Sequence, residues 1–286
     1  MTGLVAVDKP EGLTSRQVSA KVGHLLNEKR SGHTGTLDPM ASGVLPVMLG
    51  RACKLIPFLP DKKAYIAKMR FGIKTDTGDI TGSVTQSNGV LPAKEDFEKI
   101  IPGFTGIITQ VPSMYSALKK DGVPLYKLAR SGKTVDVPER KVRIDSIKLL
   151  SFQKDECEIE VYCGGGTYIR TLCEDMAAAC GALAVMTSLR RIMDCGIGID
   201  RCASLTDIEN GGVTPVSAEA LFSHLDAVTV PDDGRVYYMN GGSISIDRVD
   251  GKCDDGICRV YSKDGSFLGL GRISENNLKE VWLNLE

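Results

Sequence analysis

Residues 31–49 join a loop rich in glycine and proline to an apolar run, and this stretch constrains the fold most. Gly32, Gly35, Pro39 and Gly43 allow a tight, irregular backbone. Among them stands a single carboxylate, Asp38, five residues after His33. The run Val44 to Leu49 reads as a buried strand or helix that anchors the loop. A loop anchored in this way can hold one side chain at the floor of a cleft. Taken alone, the same residues also describe a surface turn that contains an aspartate, because Asp favours turns.

The rest of the chain narrows the choice. Its 286 residues suit one large domain, or a main domain with a small appendage. Hydrophobic residues make up 42% and charged residues 25%, which allows a sizeable core. No apolar run reaches the roughly 18 residues of a membrane span, and Met1 to Pro10 lacks a cationic, apolar leader. A cytoplasmic protein without membrane attachment is therefore expected. The nine cysteines are odd in number and form no C-x-x-C, and Cys253 and Cys258 have no second pair to complete a tetrahedral site. Reduced, buried thiols and no metal are the expectation. The net charge of −1 hides an asymmetry. Residues 1–150 hold 23 Lys and Arg against 14 Asp and Glu, whereas residues 151–286 hold 12 against 22. A polyanion would meet mainly the first half, since phosphate affinity follows local potential.

Pattern and punctuation place the elements. Val5 to Lys9 reads as a strand, and Thr14-Ser15 as the cap of a helix from Arg16 to Asn27. Short helices are expected at Arg51 to Leu59, Ala93 to Ile101 and Ala218 to Leu225. Strands are expected at Ala64 to Ile73, Arg140 to Ser151, Glu156 to Tyr162 and Ala184 to Asp194, the middle two forming a hairpin. Gly164-Gly165-Gly166 is a sharp turn into a helix from Thr167 to Cys180, closed by Gly181. Residues 111–138 look like a basic excursion carrying Lys119, Lys120, Lys127, Arg130 and Lys133 around Tyr126. Near Pro231 the pattern changes to short strands and glycine turns, so a small β unit is expected to dock on the main domain.

The block from Gly32 to Pro46 fills every fixed position of G-H-T-G-x-L-D-P-x-A-x-G-x-L-P. In this it closely resembles the catalytic loop of the TruB family of tRNA pseudouridine synthases. Four further segments resemble the family in the same order: Lys62-Lys63-Ala64-Tyr65, Val111 to Lys119, Gly165 to Arg170, and Leu189-Arg190-Arg191. The tail, with Leu268-Gly269-Leu270-Gly271-Arg272-Ile273, resembles the family's PUA-like extension. The resemblance implies an α+β fold: a mixed, largely antiparallel central sheet flanked by helices, with a small C-terminal β domain. Residues 1–229 would form the catalytic domain, with an RNA-gripping thumb at about 111–138, and residues 230–286 the PUA-like domain.

The resemblance also assigns chemistry. The enzyme would isomerise uridine 55 in the T loop of tRNA to pseudouridine, with no metal or organic cofactor and no obligatory protein partner. Breaking N1–C1′, turning the uracil and bonding C5 to C1′ require the base to leave its stack, at a cost of a few kcal/mol. Asp38 would be the nucleophile or base, acting on sugar or base or forming a glycal, and Arg170 would keep it ionised in a dry pocket. Tyr65 would stack on the flipped base, Tyr168 would meet Tyr65 or the nucleotide, and Leu189 would form the apolar floor. His33 would fill the gap that the extruded nucleotide leaves, and Lys54 would meet a phosphate or brace the loop. Lys119, Lys120, Lys127 and Arg130 would grip the backbone of the T stem-loop.

Three other readings compete. Asp76-Thr77-Gly78 spells the aspartic-protease triplet, but Lys74-Thr75 before it and Asp79 after it are not the apolar flanks that such a site needs. A non-catalytic RNA-binding or RNA-folding protein on the same fold would not need Asp38, Tyr65 and Arg170 together. A synthase that depends on a guide RNA and protein partners would be expected to carry a longer, more basic chain.

Overall fold

The chain opens with β1 (Gly3–Lys9) and α1 (Ser15–Leu25). A reciprocal capping box starts the helix: Thr14 Oγ1 accepts the Gln17 N–H at 3.2 Å, and Gln17 Oε1 accepts the Thr14 N–H at 2.8 Å. Then come β2 (Ser31–His33), β3 (Ser42–Leu49) and a 3-10 helix (Gly50–Phe58), where Pro57 has no N–H to donate to an α ladder. They lead to β4 (Lys63–Phe71), the hairpin of β5 (Ile73–Thr75) and β6 (Val84–Ser87), α2 (Lys94–Ile100) and β7 (Gly106–Gln110). The basic excursion holds β8 (Lys119–Lys120), β9 (Val123–Pro124) and α3 (Leu125–Arg130). Next come β10 (Arg140–Phe152), β11 (Glu156–Cys163), α4 (Ile169–Ala179), β12 (Ala184–Asp194), β13 (Ile197–Gly198), α5 (Leu205–Glu209) and α6 (Ala218–Leu221). The tail consists of β14 (Ala227–Val230), α7 (Asp232–Met239), β15 (Ile244–Ser245), β16 (Gly256–Ser262), β17 (Phe267–Ser274) and β18 (Asn277–Leu283). This computed structural model describes residues 2–285 except 117, 121 and 134; the side chains of Lys119 and Arg130 also lie outside the described residues.

Nine strands form the main sheet in the order β1-β3-β12-β4-β11-β10-β7, with β2 added on β3 and β13 on β12. Every pairing is antiparallel except the contact of β12 with β3, so the sheet is mixed and largely antiparallel, as expected. The β10–β11 hairpin is present, with Ile147 opposite Val161. A second, five-stranded sheet runs β14-β16-β17-β18-β15.

One irregularity of the main sheet positions the site. Along one edge of β3 the partner changes: β12 pairs at Ser42 and Gly43, and β2 pairs from Val47 to Leu49. The loop 34–41 emerges where these two partners diverge. Gly43 lies on the seam at φ +104°, and a Cβ there would collide with the backbone of Arg191. Only glycine lets the two strands approach so closely.

Apolar packing flanks the sheet. Met69, Phe71, Phe97, Ile159, Leu172 and Met176 form a cluster beneath α2 and α4, and Leu37, Tyr65 and Leu189 join it. Val5, Val7, Val18, Val22, Leu45, Val47 and Ile208 pack around α1 and α5. A further cluster joins Leu4, Met48, Leu55 and Phe222 to Leu270 and Trp282 of the second sheet. At that junction the indole N–H of Trp282 donates to the carbonyl of Arg51 at 3.1 Å. Each fully buried Leu or Phe contributes about 1.5–3 kcal/mol, so this junction is substantial.

Candidate active site

The loop that bears Asp38 is fixed by its own neighbours. Leu37 is buried, and the Ser15 hydroxyl clamps its backbone in both directions, accepting from its N–H at 2.8 Å and donating to its carbonyl at 3.0 Å. The Gly12 N–H donates to the Pro39 carbonyl at 2.7 Å, and the Ala41 N–H to the Asp38 carbonyl at 3.0 Å. The first turn of α1 and the β1–α1 loop thus hold the carboxylate from behind. Beneath them, buried Lys9 donates to the carbonyls of Pro10 and Leu13 at 2.8 and 2.7 Å. Burial lowers the Lys9 ammonium to about 8, against the attraction of Glu11 and Asp38.

Arg170, in the first turn of α4, reaches Asp38. Its Nε stands 3.1 Å from Asp38 Oδ2. The rest of the guanidinium is occupied: Nη1 donates to the Thr77 carbonyl at 2.7 Å, and Nη2 to the Tyr115 carbonyl at 3.0 Å. Asp79 Oδ2 lies 3.7 Å from Nη1. Asp79 is itself fixed, its Oδ1 accepting from the Thr77 hydroxyl and from the N–H and hydroxyl of Thr81. The Arg170 and Asp79 side chains are only 8% and 7% exposed, whereas that of Asp38 is 33% exposed. The one carboxylate of this cluster that opens to solvent is therefore Asp38. Burial raises its pKa above the usual aspartate value; Arg170 opposes that shift, and Asp79 adds to it.

The start of α4 explains the geometry. The helix expected from Thr167 begins at Ile169, because the Gln110 carboxamide clamps the extended Tyr168 backbone, accepting at 3.0 Å and donating at 3.2 Å. This clamp ties β7 to α4 and sets the direction in which Arg170 leaves the helix.

The other expected residues divide. Tyr65 and Leu189 lie on the adjacent strands β4 and β12, 6% and 7% exposed, in the apolar cluster that also contains Leu37. Burial drives the Tyr65 phenol up to about 12, so it stays neutral. His33 ends β2 opposite Val47, half-buried, with its Nδ1 buried and without a partner among the described residues. Burial, then Arg191, lowers its pKa and favours the uncharged imidazole. Tyr168 is half-buried at the start of α4. Lys54 is exposed on the 3-10 helix and is not part of the Asp38 cluster. Lys120 and Lys127 are exposed, the former donating to the Asp136 carbonyl at 3.2 Å.

A second ionic cluster has no announcement in the sequence. Arg191 and Asp194, 1% and 0% exposed, pair at 3.2 Å, and Lys63 also bonds Asp194. Arg191 donates to the carbonyls of Val44 and Gly35 at 2.7 and 3.1 Å, and Asp194 accepts from the Thr34 hydroxyl at 2.8 Å. This network fills the gap where β2 and β12 part and holds the beginning of the Asp38 loop. Among the described residues no group of three or more His, Cys, Asp and Glu is placed to hold a metal ion. No described helix is long and apolar enough to cross a membrane. The two clefts at residues 28–31 and along β1 include none of Asp38, Tyr65 and Arg170.

Comparison with known proteins places the chain. Residues 23–169 match the model for the N-terminal domain of TruB family pseudouridylate synthases, and residues 227–279 the model for the C-terminal region of TruB, pseudouridine synthase II. Curated relatives include tRNA pseudouridine synthase B of Stutzerimonas stutzeri, 37% identical over 96% of this chain and 93% of the relative. The protein of the same name from Clostridium acetobutylicum is 37% identical over 99% of both. Among solved structures, a Cbf5-Nop10-Gar1 complex aligns with a TM-score of 0.70 at 23% identity, covering 99% of this chain and 84% of that one. An H/ACA RNP bound to a substrate RNA containing 2′-deoxyuridine aligns at 0.68 and 22%, again over 99% and 84%. These two likenesses concern the fold.

Proposed function

Because the chain belongs to the TruB family of pseudouridylate synthases and is thus an isomerase, we propose that it converts uridine 55 in the T loop of tRNA to pseudouridine, with Asp38 as the reacting carboxylate. The observation that carries this reading is the pairing of a one-third exposed Asp38 with a nearly sealed Arg170 at 3.1 Å. In the reaction N1–C1′ breaks, C5 bonds to C1′, the C5 proton leaves and N1 gains one. As nucleophile or as base, Asp38 must be ionised, and Arg170 favours that state where burial opposes it. Tyr65 and Leu189 offer an apolar wall for the everted uracil, and neutral His33 a flat ring for the gap left in the stack.

In this reading residues 1–229 are the catalytic domain, residues 230–286 the PUA-like domain, and residues 111–138 the thumb, with Lys120 and Lys127 on the RNA backbone. Lys119 and Arg130 belong to the same proposed grip by sequence. Tyr168 and Lys54 are assigned to contacts with bound RNA. The enzyme works in the cytoplasm, where tRNA is processed, and acts without a cofactor or an obligatory protein partner. The test is tritium release from [5-³H]uridine-labelled tRNA, together with a transcript bearing cytidine at position 55. Wild type should release tritium from the first and form no pseudouridine in the second. Asp38→Asn should bind tRNA and release none; release at the wild-type rate would end the assignment.

A further inference from the structure

Arg170 is held by two chain segments, and those segments are themselves cross-linked. Its Nη1 donates to the Thr77 carbonyl and its Nη2 to the Tyr115 carbonyl. The Tyr115 hydroxyl in turn donates to Asp76 Oδ2 at 3.1 Å, one residue before Thr77. Asp76 is fixed in the β5–β6 hairpin: its Oδ1 accepts the Ser83 N–H at 2.8 Å, and its own N–H donates to the Ser83 carbonyl at 3.1 Å. The result is a closed ring, from Arg170 to Tyr115, to Asp76 and Thr77, and back to Arg170. With both terminal nitrogens held in the ring, the guanidinium plane is set and Nε is left directed at Asp38.

We infer that Tyr115 is a positioning residue for the isomerisation: it ties the root of the basic 111–138 excursion to Arg170 and thereby sets how strongly Arg170 holds Asp38. The chain runs from Tyr115 through Ser116 towards Lys120 and Lys127, so RNA held by that excursion would act on Arg170 through the Tyr115 carbonyl. The inference rests on the proposed reaction at Asp38.

The experiment uses the full chain and labelled tRNA, with Tyr115→Phe, Asp76→Asn and the double variant. Tyr115→Phe keeps the ring and the backbone carbonyl and removes only the hydroxyl bond. Its single-turnover rate should fall about tenfold, corresponding to one hydrogen bond of about 1.4 kcal/mol, with the Kd for tRNA within about twofold of wild type. The acid limb of the rate should move to higher pH. Asp38 faces Arg170 from α4, Asp79 from the 76–80 loop and Lys9 from β1, and loosening Arg170 weakens the strongest influence that favours its ionised form. Asp76→Asn removes the charged acceptor of that hydroxyl and should act in the same direction more weakly, and the double variant should be no slower than the worse single one, because both changes act on the same bond. Losses that multiply in the double variant, an unmoved acid limb, or a loss confined to Kd would each overturn the inference. If wild type itself makes no pseudouridine in tRNA, it is the proposed function that fails.

Discussion

The molecule buries two clusters built from the same chemistry, an arginine paired with aspartates, and treats them in opposite ways. Arg191 and Asp194 are themselves sealed, and the aspartate is bonded to Arg191, Lys63 and Thr34. Around Arg170 the guanidinium is also nearly sealed and well bonded, yet its partner Asp38 keeps a third of its side chain open. A sealed pair must balance its own desolvation, and its role is to fix the backbone of residues 34–44. An open pair leaves part of its carboxylate for a visitor, and burial then keeps that oxygen basic. The difference between the scaffold and the proposed reactive site lies in one unfilled direction of a carboxylate.

The largest expected effect separates the two clusters most cleanly. Asp38→Asn should cut tritium release at least about 1000-fold while leaving the thermal midpoint near wild type. A midpoint that collapsed with activity would place Asp38 with the scaffold. Asp194→Ala should do the reverse: stranding buried Arg191 and Lys63 costs about 3–5 kcal/mol, a midpoint lower by about 10 °C in a calorimetric scan. Arg170→Lys keeps the charge but loses the fork that spans Asp38, Thr77 and Tyr115. A slowing of about 100-fold with unchanged tRNA affinity is expected.

Acidity sharpens the contrast further. The rate should fall on acidification at a pH above the ordinary aspartate range, since the proposed role of Asp38 needs it ionised and its pKa is raised. Asp79→Asn should move that fall to lower pH, because a neighbouring negative charge has gone, while also slowing the plateau as Arg170 loses a brace. A pH profile identical to wild type would separate Asp79 from the site. The smallest effect belongs to the exposed lysines. Lys120→Ala with Lys127→Ala should weaken tRNA binding modestly and lessen the slope of log K against log salt by about 0.7–0.9 for each phosphate that the protein ceases to neutralise. Unchanged slopes would remove both from the RNA interface.

How far the sequence announces all this depends on distance along the chain. The Asp38 loop is contiguous, so its glycines, prolines and anchoring strand can be read together. Arg170 lies far away, and only its resemblance to a known motif, Gly165 to Arg170, links it to Asp38. Asp79 is hidden because its neighbours suggest a protease triplet, and its importance comes from burial against α4. Lys9 reads as a strand end; nothing local reveals that its ammonium turns inward to two carbonyls. Lys63 and Asp194 are 131 residues apart, and no periodicity joins them. The strands follow their alternation closely, as at β10 and β11. Element ends shift where a remote side chain intervenes, as Gln110 does at the start of α4.

The apolar junction between the two sheets packs the tail onto the body that carries Asp38. Leu270 and Trp282 lie in one interior with Leu4, Met48 and Phe222. Heating should therefore melt the whole chain in a single step, and cutting after Val230 should leave a greasy scar that clumps. A nucleotide bound against β14–β18 would then be gauged from Asp38 across that junction, as by one jaw of a caliper from the other.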